Sequence, residues 1–287
     1  MFSRFGEGGL DHRSDVRDRW RTGANLRQII HVRVQLLPST FDGFEASQRQ
    51  HLTCFVIDDL VAIDAGSLAM SASPEQQRSI RDIVLTHAHL DHVAGLPLFI
   101  DDLFSSLTEP VTIHAGQAVI ETLERDIFNW SVYPRFSELS NGNGPVLRYE
   151  SFGQAEEFTV KHLTLRAVEV NHRVPANGFL ISDTNSTIAF SGDTSGTDGF
   201  WKLINSAEKV SAILLECAFP DELEDLADVS HHLTPKRMGL ELEKCERDCP
   251  VFVVNIKPMY RSKVLAQIEE MKLEQVEILE VGKVYEW

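Results

Sequence analysis

The stretch THAHLDHVAGLP, Thr86 to Pro97, decides the fold. It sets three histidines and an aspartate (His87, His89, Asp91, His92) into six consecutive positions, directly after the apolar run Ile83-Val84-Leu85. In an extended segment, residues two apart point the same way. His87, His89 and Asp91 therefore converge on one side, and His92, at the turn into a helix, enters from another angle. Imidazole and carboxylate suit zinc, iron or manganese. A strand that ends in such a run is the mouth of a metal site.

The remaining composition is that of a globular protein. The 287 residues fit one large domain or two small ones, and 43% hydrophobic with 24% charged residues gives an ordinary core. No apolar stretch approaches the ~18 residues that would span a bilayer. The first residues, MFSRFGEGGLDHRSDVRDRW, carry no apolar secretory segment, so a cytoplasmic location is expected. A net charge of −16 repels polyphosphate backbones, so a large nucleic-acid partner would need a local basic patch, while bound divalent cations would offset part of that charge where a small anionic substrate sits. Cys54, Cys217, Cys245 and Cys249 are too few and scattered for a disulfide framework and read as reduced thiols.

Residues 1–25, polar and Arg-rich, read as an N-terminal arm or an oligomer contact, compatible with a homodimer; residues 26–287 read as the main domain. Strands are expected at 29–37, 53–57 and 60–64, the last two as a hairpin through Asp58-Asp59, and at 81–86 and 110–114. Further strands follow at 146–151, 157–161, 163–170, 178–182, 187–191, 211–216, 251–256 and 276–280. Helices are expected at 93–106, 116–128, 200–207 and 261–272, and one begins at Thr234-Pro235, with threonine as N-cap. Strand-rich segments with interspersed helices in both halves give two packed sheets with helices outside.

Two ions need a further histidine and a carboxylate able to bridge them. "VEVNHRVPANGF" (168–179) offers His172 at a strand end, and "IAFSGDTSG" (188–196) offers Asp193 in a Gly-flanked turn.

With these pieces, Asp64-Ala65-Gly66, His87-x-His89-x-Asp91-His92, His172 and Ser191-Gly192-Asp193-Thr194, the chain resembles the metallo-β-lactamase superfamily. The resemblance implies an α+β fold, a four-layer αββα sandwich with a binuclear site at one edge. It implies that His87, His89 and His172 hold the first ion, that Asp91 and His92 hold the second, and that Asp193 bridges them. Asp64 would tie the motif loop to its neighbour.

Within the superfamily, "HAHLDHVAGLP", "DAGSL" (64–68), "LLECAFPDELEDLADVSHHLTP" (214–235) and "NIKP" (255–258) look like class II cyclic nucleotide phosphodiesterases. The related tRNase Z family carries a histidine where this chain has Leu215, and a basic arm of which there is no sign. One position departs from both families: Asn255 stands where the last ligand of the second ion is expected to be histidine, and an amide oxygen is a poor zinc ligand. His231 and His232 are the spare donors.

The resemblance thus implies a metal-dependent hydrolase that uses two divalent ions (zinc, manganese or iron) and a metal-bound hydroxide to open a 3′,5′-cyclic nucleotide to the 5′-nucleotide. Asp91 would orient or deprotonate the water. His232, oriented by Glu216, would protonate the leaving oxygen. Arg173 and Lys257 would contact the phosphate. The alternatives are a tRNase Z-like ribonuclease, a lactonase of the same fold, and a non-catalytic metal- or nucleotide-binding scaffold.

Overall fold

The computed structural model describes residues 31–287, which form one compact unit. The arm expected at residues 1–25 lies outside the described residues.

Two seven-stranded mixed sheets face each other. The first runs in the spatial order Leu147–Ser151, Val111–Ala115, Asp82–Val84, Val61–Ile63, Phe55–Ile57, Arg33–Leu36, Val284–Glu286. The second runs Glu157–Val160, Leu163–Glu169, Asn177–Ser182, Thr187–Phe190, Ala212–Glu216, Val251–Val254, Val276–Ile278. Strands such as Phe55–Ile57 and Ala212–Glu216 are buried at every position, because both faces of each sheet are covered. Between the sheets lie Phe55, Ile63, Phe179, Phe190, Leu214 and Phe252. The outer face of the first sheet packs its valines, isoleucines and leucines against Phe99, Ile100 and Leu123. The outer face of the second meets Phe200, Trp201, Met238 and Ile268. This is the expected αββα sandwich.

The sequence-predicted strands fall where expected, most within a residue or two at their ends; the first, expected at 29–37, is Arg33–Leu36. The hairpin through Asp58 (φ 52°) and Asp59 (φ 59°) is a two-residue turn with both central residues left-handed, closed by Leu60 N–H donating to Ile57 O at 3.0 Å. The helix expected at 93–106 differs. It forms as Leu90–Val93 and Leu96–Leu103, interrupted at Ala94-Gly95, so His92 sits within a helical turn. The helix expected at 116–128 is Gln117–Thr122, continued by a π-helical turn at Leu123–Ile127. Thr234 caps Pro235–Leu242 as its sequence implied, accepting from Arg237 N–H. Among the elements not foreseen are the helices Leu68–Ser71, Pro74–Ser79 and Glu224–Ser230, two short two-stranded hairpins, and the edge strand Val284–Glu286. No helix among the described residues is long and apolar enough to cross a membrane. The four cysteines are unpaired.

Candidate metal centre

Neighbouring strands of both sheets end at one edge of the sandwich, and the chemistry-bearing side chains sit on the loops just beyond them. Asp82–Val84 leads to His87, His89 and His92; Leu163–Glu169 leads to His172; Thr187–Phe190 leads to Asp193; Ala212–Glu216 ends in Glu216; Val251–Val254 leads to Asn255.

The motif loop is held by the turn at Asp64-Ala65-Gly66. Ala65 N–H donates to His92 O at 2.7 Å, and Gly95 N–H to Ala65 O at 3.0 Å. Gly66 is obligatory here, since a Cβ would stand 2.0 Å from the Asp91 carbonyl oxygen. Gly192 supplies the left-handed residue (φ 60°) that turns Asp193 into the cluster.

Three groups of donors converge: His87 with His89 and His172; His87 with His92 and Asp193; His172 with Asp193 and His232. In each group the donor atoms lie within 4.8 Å of one another. His89 Nδ1 is 3.1 Å from both His87 Nε2 and His172 Nε2. A single ring proton cannot satisfy both contacts. Ligands about 2.0–2.1 Å from a tetrahedral zinc stand about 3.3 Å apart, so the observed spacing is that of a cation's ligands. His92 Nε2 is buried beside them, 3.3 Å from Asp193 Oδ2. The residues present fit a divalent ion.

The far nitrogens fix the tautomers. Asp64 accepts from Thr86 N–H at 2.8 Å and from Thr86 Oγ1 at 2.9 and 3.0 Å. With its proton committed there, the hydroxyl accepts from His87 Nδ1–H at 2.9 Å, which leaves Nε2 as a lone pair. His92 Nδ1 donates to Asp64 at 2.7 Å, and His172 Nδ1 to the His231 carbonyl at 3.1 Å. Each donor imidazole so held turns a basic nitrogen inward.

Electrostatics agree. Burial, reinforced by neighbouring imidazoles, keeps His87 neutral, and burial brings His172 down to about 4. Burial opposes ionisation of Asp193, but His92 and then His87 hold its carboxyl well below the usual range. Burial likewise opposes protonation of His92, yet Asp193 and Asp64 raise it well above the ordinary value.

The other predicted residues take definite places. His232 Nδ1 donates to Glu216 Oε1 at 2.7 Å, and Glu216 also accepts from the backbone N–H of Thr194, Ala218 and Leu233. Asp91 stands apart from the converging donors, its Oδ2 accepting from Lys257 Nζ at 3.0 Å. Lys257 is thus paired with a carboxylate of the motif. Arg173 is exposed, with no ion pair among the described residues. His231 turns its ring to Asn171 Oδ1 at 2.9 Å and contributes only its carbonyl to the centre. Asn255 lies inside the cluster, its Nδ2 donating to Asp193 Oδ1 at 2.6 Å.

Sequence reasoning missed Thr53, Thr86 and Asn171, whose contacts reach across the fold and leave no local pattern. It also missed an open cavity of about 410 Å³ lined by Arg49, His51, Pro258, Met259, Arg261 and Ser262.

A family profile described as "Beta-lactamase superfamily domain" matches residues 57–253. The chain belongs to the beta-lactamase superfamily. It is 28% identical over 228 residues to a "Probable 3',5'-cyclic-nucleotide phosphodiesterase" of Yersinia pestis, a match spanning 68% of this chain and 64% of that protein. The chain thus spans just under two thirds of that relative's length. It is 29% identical over 133 residues to the nuclear ribonuclease Z of Triticum aestivum, across 46% of this chain and 69% of the relative. Among solved structures, unliganded yeast PDE1 superposes with a TM-score of 0.70 at 15% identity, covering 89% of this chain and 99% of that one. The fold is that of the metallo-β-lactamases, as the sequence resemblance implied.

Proposed function

We propose that the chain is a metal-dependent phosphodiesterase that hydrolyses a 3′,5′-cyclic nucleotide to the 5′-nucleotide. The observation that carries this reading is the buried Glu216–His232 pair set against the donor cluster, in a chain whose Yersinia pestis relative is named a cyclic-nucleotide phosphodiesterase. His87, His89 and His172, with Asp193, would hold a divalent ion (zinc, manganese or iron). Such an ion supplies Lewis acidity that makes water a nucleophile near neutral pH.

The chain's own residues do the rest. Asp91 lies at the head of the motif helix, where its carboxylate can orient the attacking water and accept its proton. Burial disfavours a charged His232, but the carboxylate of Glu216 and its hydrogen bond outweigh this and raise the imidazole above its ordinary value. With Nδ1 bound to Glu216, Nε2 is the nitrogen that gives a proton to the leaving oxygen. Lys257, paired with Asp91 at 3.0 Å, and the exposed Arg173 would contact the phosphate. A charge of −16 supports a small diester rather than a long nucleic acid as substrate.

The test is a substrate panel with zinc- or manganese-loaded protein: cyclic AMP and cyclic GMP are expected to give 5′-nucleotides. Cleavage of a tRNA precursor with both cyclic nucleotides untouched would reject the reading in favour of the ribonuclease one. His232→Ala should lower kcat on cyclic AMP by about 10²–10⁴-fold. It should cost far less on bis(p-nitrophenyl) phosphate, whose leaving group needs no proton.

A further inference from the structure

The position beside the three-histidine cluster does not match a second ion. Two donors are in place there, His92 Nε2 and Asp193 Oδ2, 3.3 Å apart. The other two are diverted. Asn255 points its amide nitrogen at Asp193, while its Oδ1 accepts from Thr53 Oγ1 at 3.2 Å. It therefore presents a donor to the cluster, and reversing the amide would set its oxygen against a carboxylate oxygen. Asp91 is engaged by the Lys257 ammonium, and both side chains are 31% exposed, so the pair faces the open side of the site. Lys257 is itself anchored, its backbone N–H donating to Ala218 O at 3.1 Å.

We propose that this centre works with a single divalent ion, held by His87, His89, His172 and Asp193, and that Lys257 provides the fixed positive charge that a second ion would give. This rests on the phosphodiesterase reading. A non-bridging oxygen of the diester takes the ammonium from Asp91, and the freed carboxylate faces the attacking water. The bond from water oxygen to phosphorus forms as the bond from phosphorus to the leaving oxygen breaks. One water proton passes to Asp91, and the leaving oxygen receives its proton from His232.

Asn255 has a left-handed backbone (φ 58°), a conformation histidine also enters more readily than most residues, so Asn255→His should fold. The experiment loads the full chain with zinc, desalts it and counts zinc by elemental analysis. One zinc per chain is expected, and two in Asn255→His. Lys257→Met should keep one zinc but lose about 100-fold in kcat/KM on cyclic AMP, the scale seen when one preorganised oxyanion donor is removed. Lys257→Arg should recover part of that loss. A count of none or two in the unaltered chain overturns the single-ion centre, and full turnover in Lys257→Met overturns the role of the lysine. The two readings fail separately. One zinc without cleavage of any diester rejects the phosphodiesterase and leaves the one-ion site, whereas two zincs with cleavage does the reverse.

Discussion

A single buried carboxylate, Asp64, orders two donor histidines at once, His92 directly and His87 through Thr86. Every group facing it is a hydrogen-bond donor. In Asp64→Asn one of its two oxygens becomes an NH2 group, which must then oppose the N–H of His92 or Thr86. The backbone is not the obstacle, since φ at 59° is a conformation asparagine tolerates well. The expected result is a 10–100-fold loss of zinc affinity, the usual cost of removing a partner behind a ligand, together with about 3–5 kcal/mol of stability for a broken buried pair. Competition against a chromophoric chelator measures the first, and unchanged affinity would show that Asp64 does not orient the donors. At this scale the sequence was legible where donors lie close together. His87, His89 and His92 share one loop, and spacing alone exposed them. Thr53 was not legible, because its bond to Asn255 joins residues 202 apart and a threonine carries no signal of that kind. Asn255 stood out as a departure, but only the fold shows that it clamps Asp193.

Among the elements, the short apolar runs that mark strands were strong enough to place both sheets, because strands such as Ala212–Glu216 and Val251–Val254 are covered on both faces. Pro74–Ser79 escaped notice for the opposite reason: PEQQRS has no apolar face, and its helix rests on a capping box between Ser73 and Gln76. The break at Ala94-Gly95 was hidden too, since the motif's own packing starts the helix at Leu90. One link between the sheets is polar. Asp82, on a strand of the first sheet, accepts from His114 Nε2 at 2.8 Å on the adjacent strand. It also pairs at 3.1 Å with Lys161, in the turn of the second sheet's first hairpin. Burial pushes the Asp82 carboxyl up, but the hydrogen bonds from His114 and Lys161 outweigh it and bring it below the usual value. A carboxyl lowered in the folded state stabilises above its unfolded pKa of about 3.9, and that stability is lost as pH falls through the folded value. Asp82→Asn should therefore melt about 2–8 °C lower at pH 7, from a contribution of about 1–2 kcal/mol. The gap to the parent should narrow below about pH 4. A gap that stays constant down to pH 3 would mean that the carboxylate's charge is not what matters.

At the scale of the molecule, the donors come from both sheets: His87, His89 and His92 from the first, His172, Asp193 and His232 from the second. Any ion bound among them is a cross-link between the two halves of the sandwich at the edge where the strands end. The protein's charge of −16 makes such a cation still more welcome. A ligand present at 1,000 times its Kd adds about 4 kcal/mol to stability. For a domain of this size each kcal/mol moves Tm by about 2–4 °C, so chelation should lower Tm by about 8–16 °C. Calorimetry with and without EDTA reads the shift, and hydrogen exchange locates it. The loops 86–94, 171–176 and 191–196 should lose protection first. The interior strand Ala212–Glu216, buried at every position between its neighbours, should keep its own. Equal loss in that strand would make the ion a support of the whole fold rather than of one edge, and a Tm that ignores EDTA would show that these side chains hold no ion.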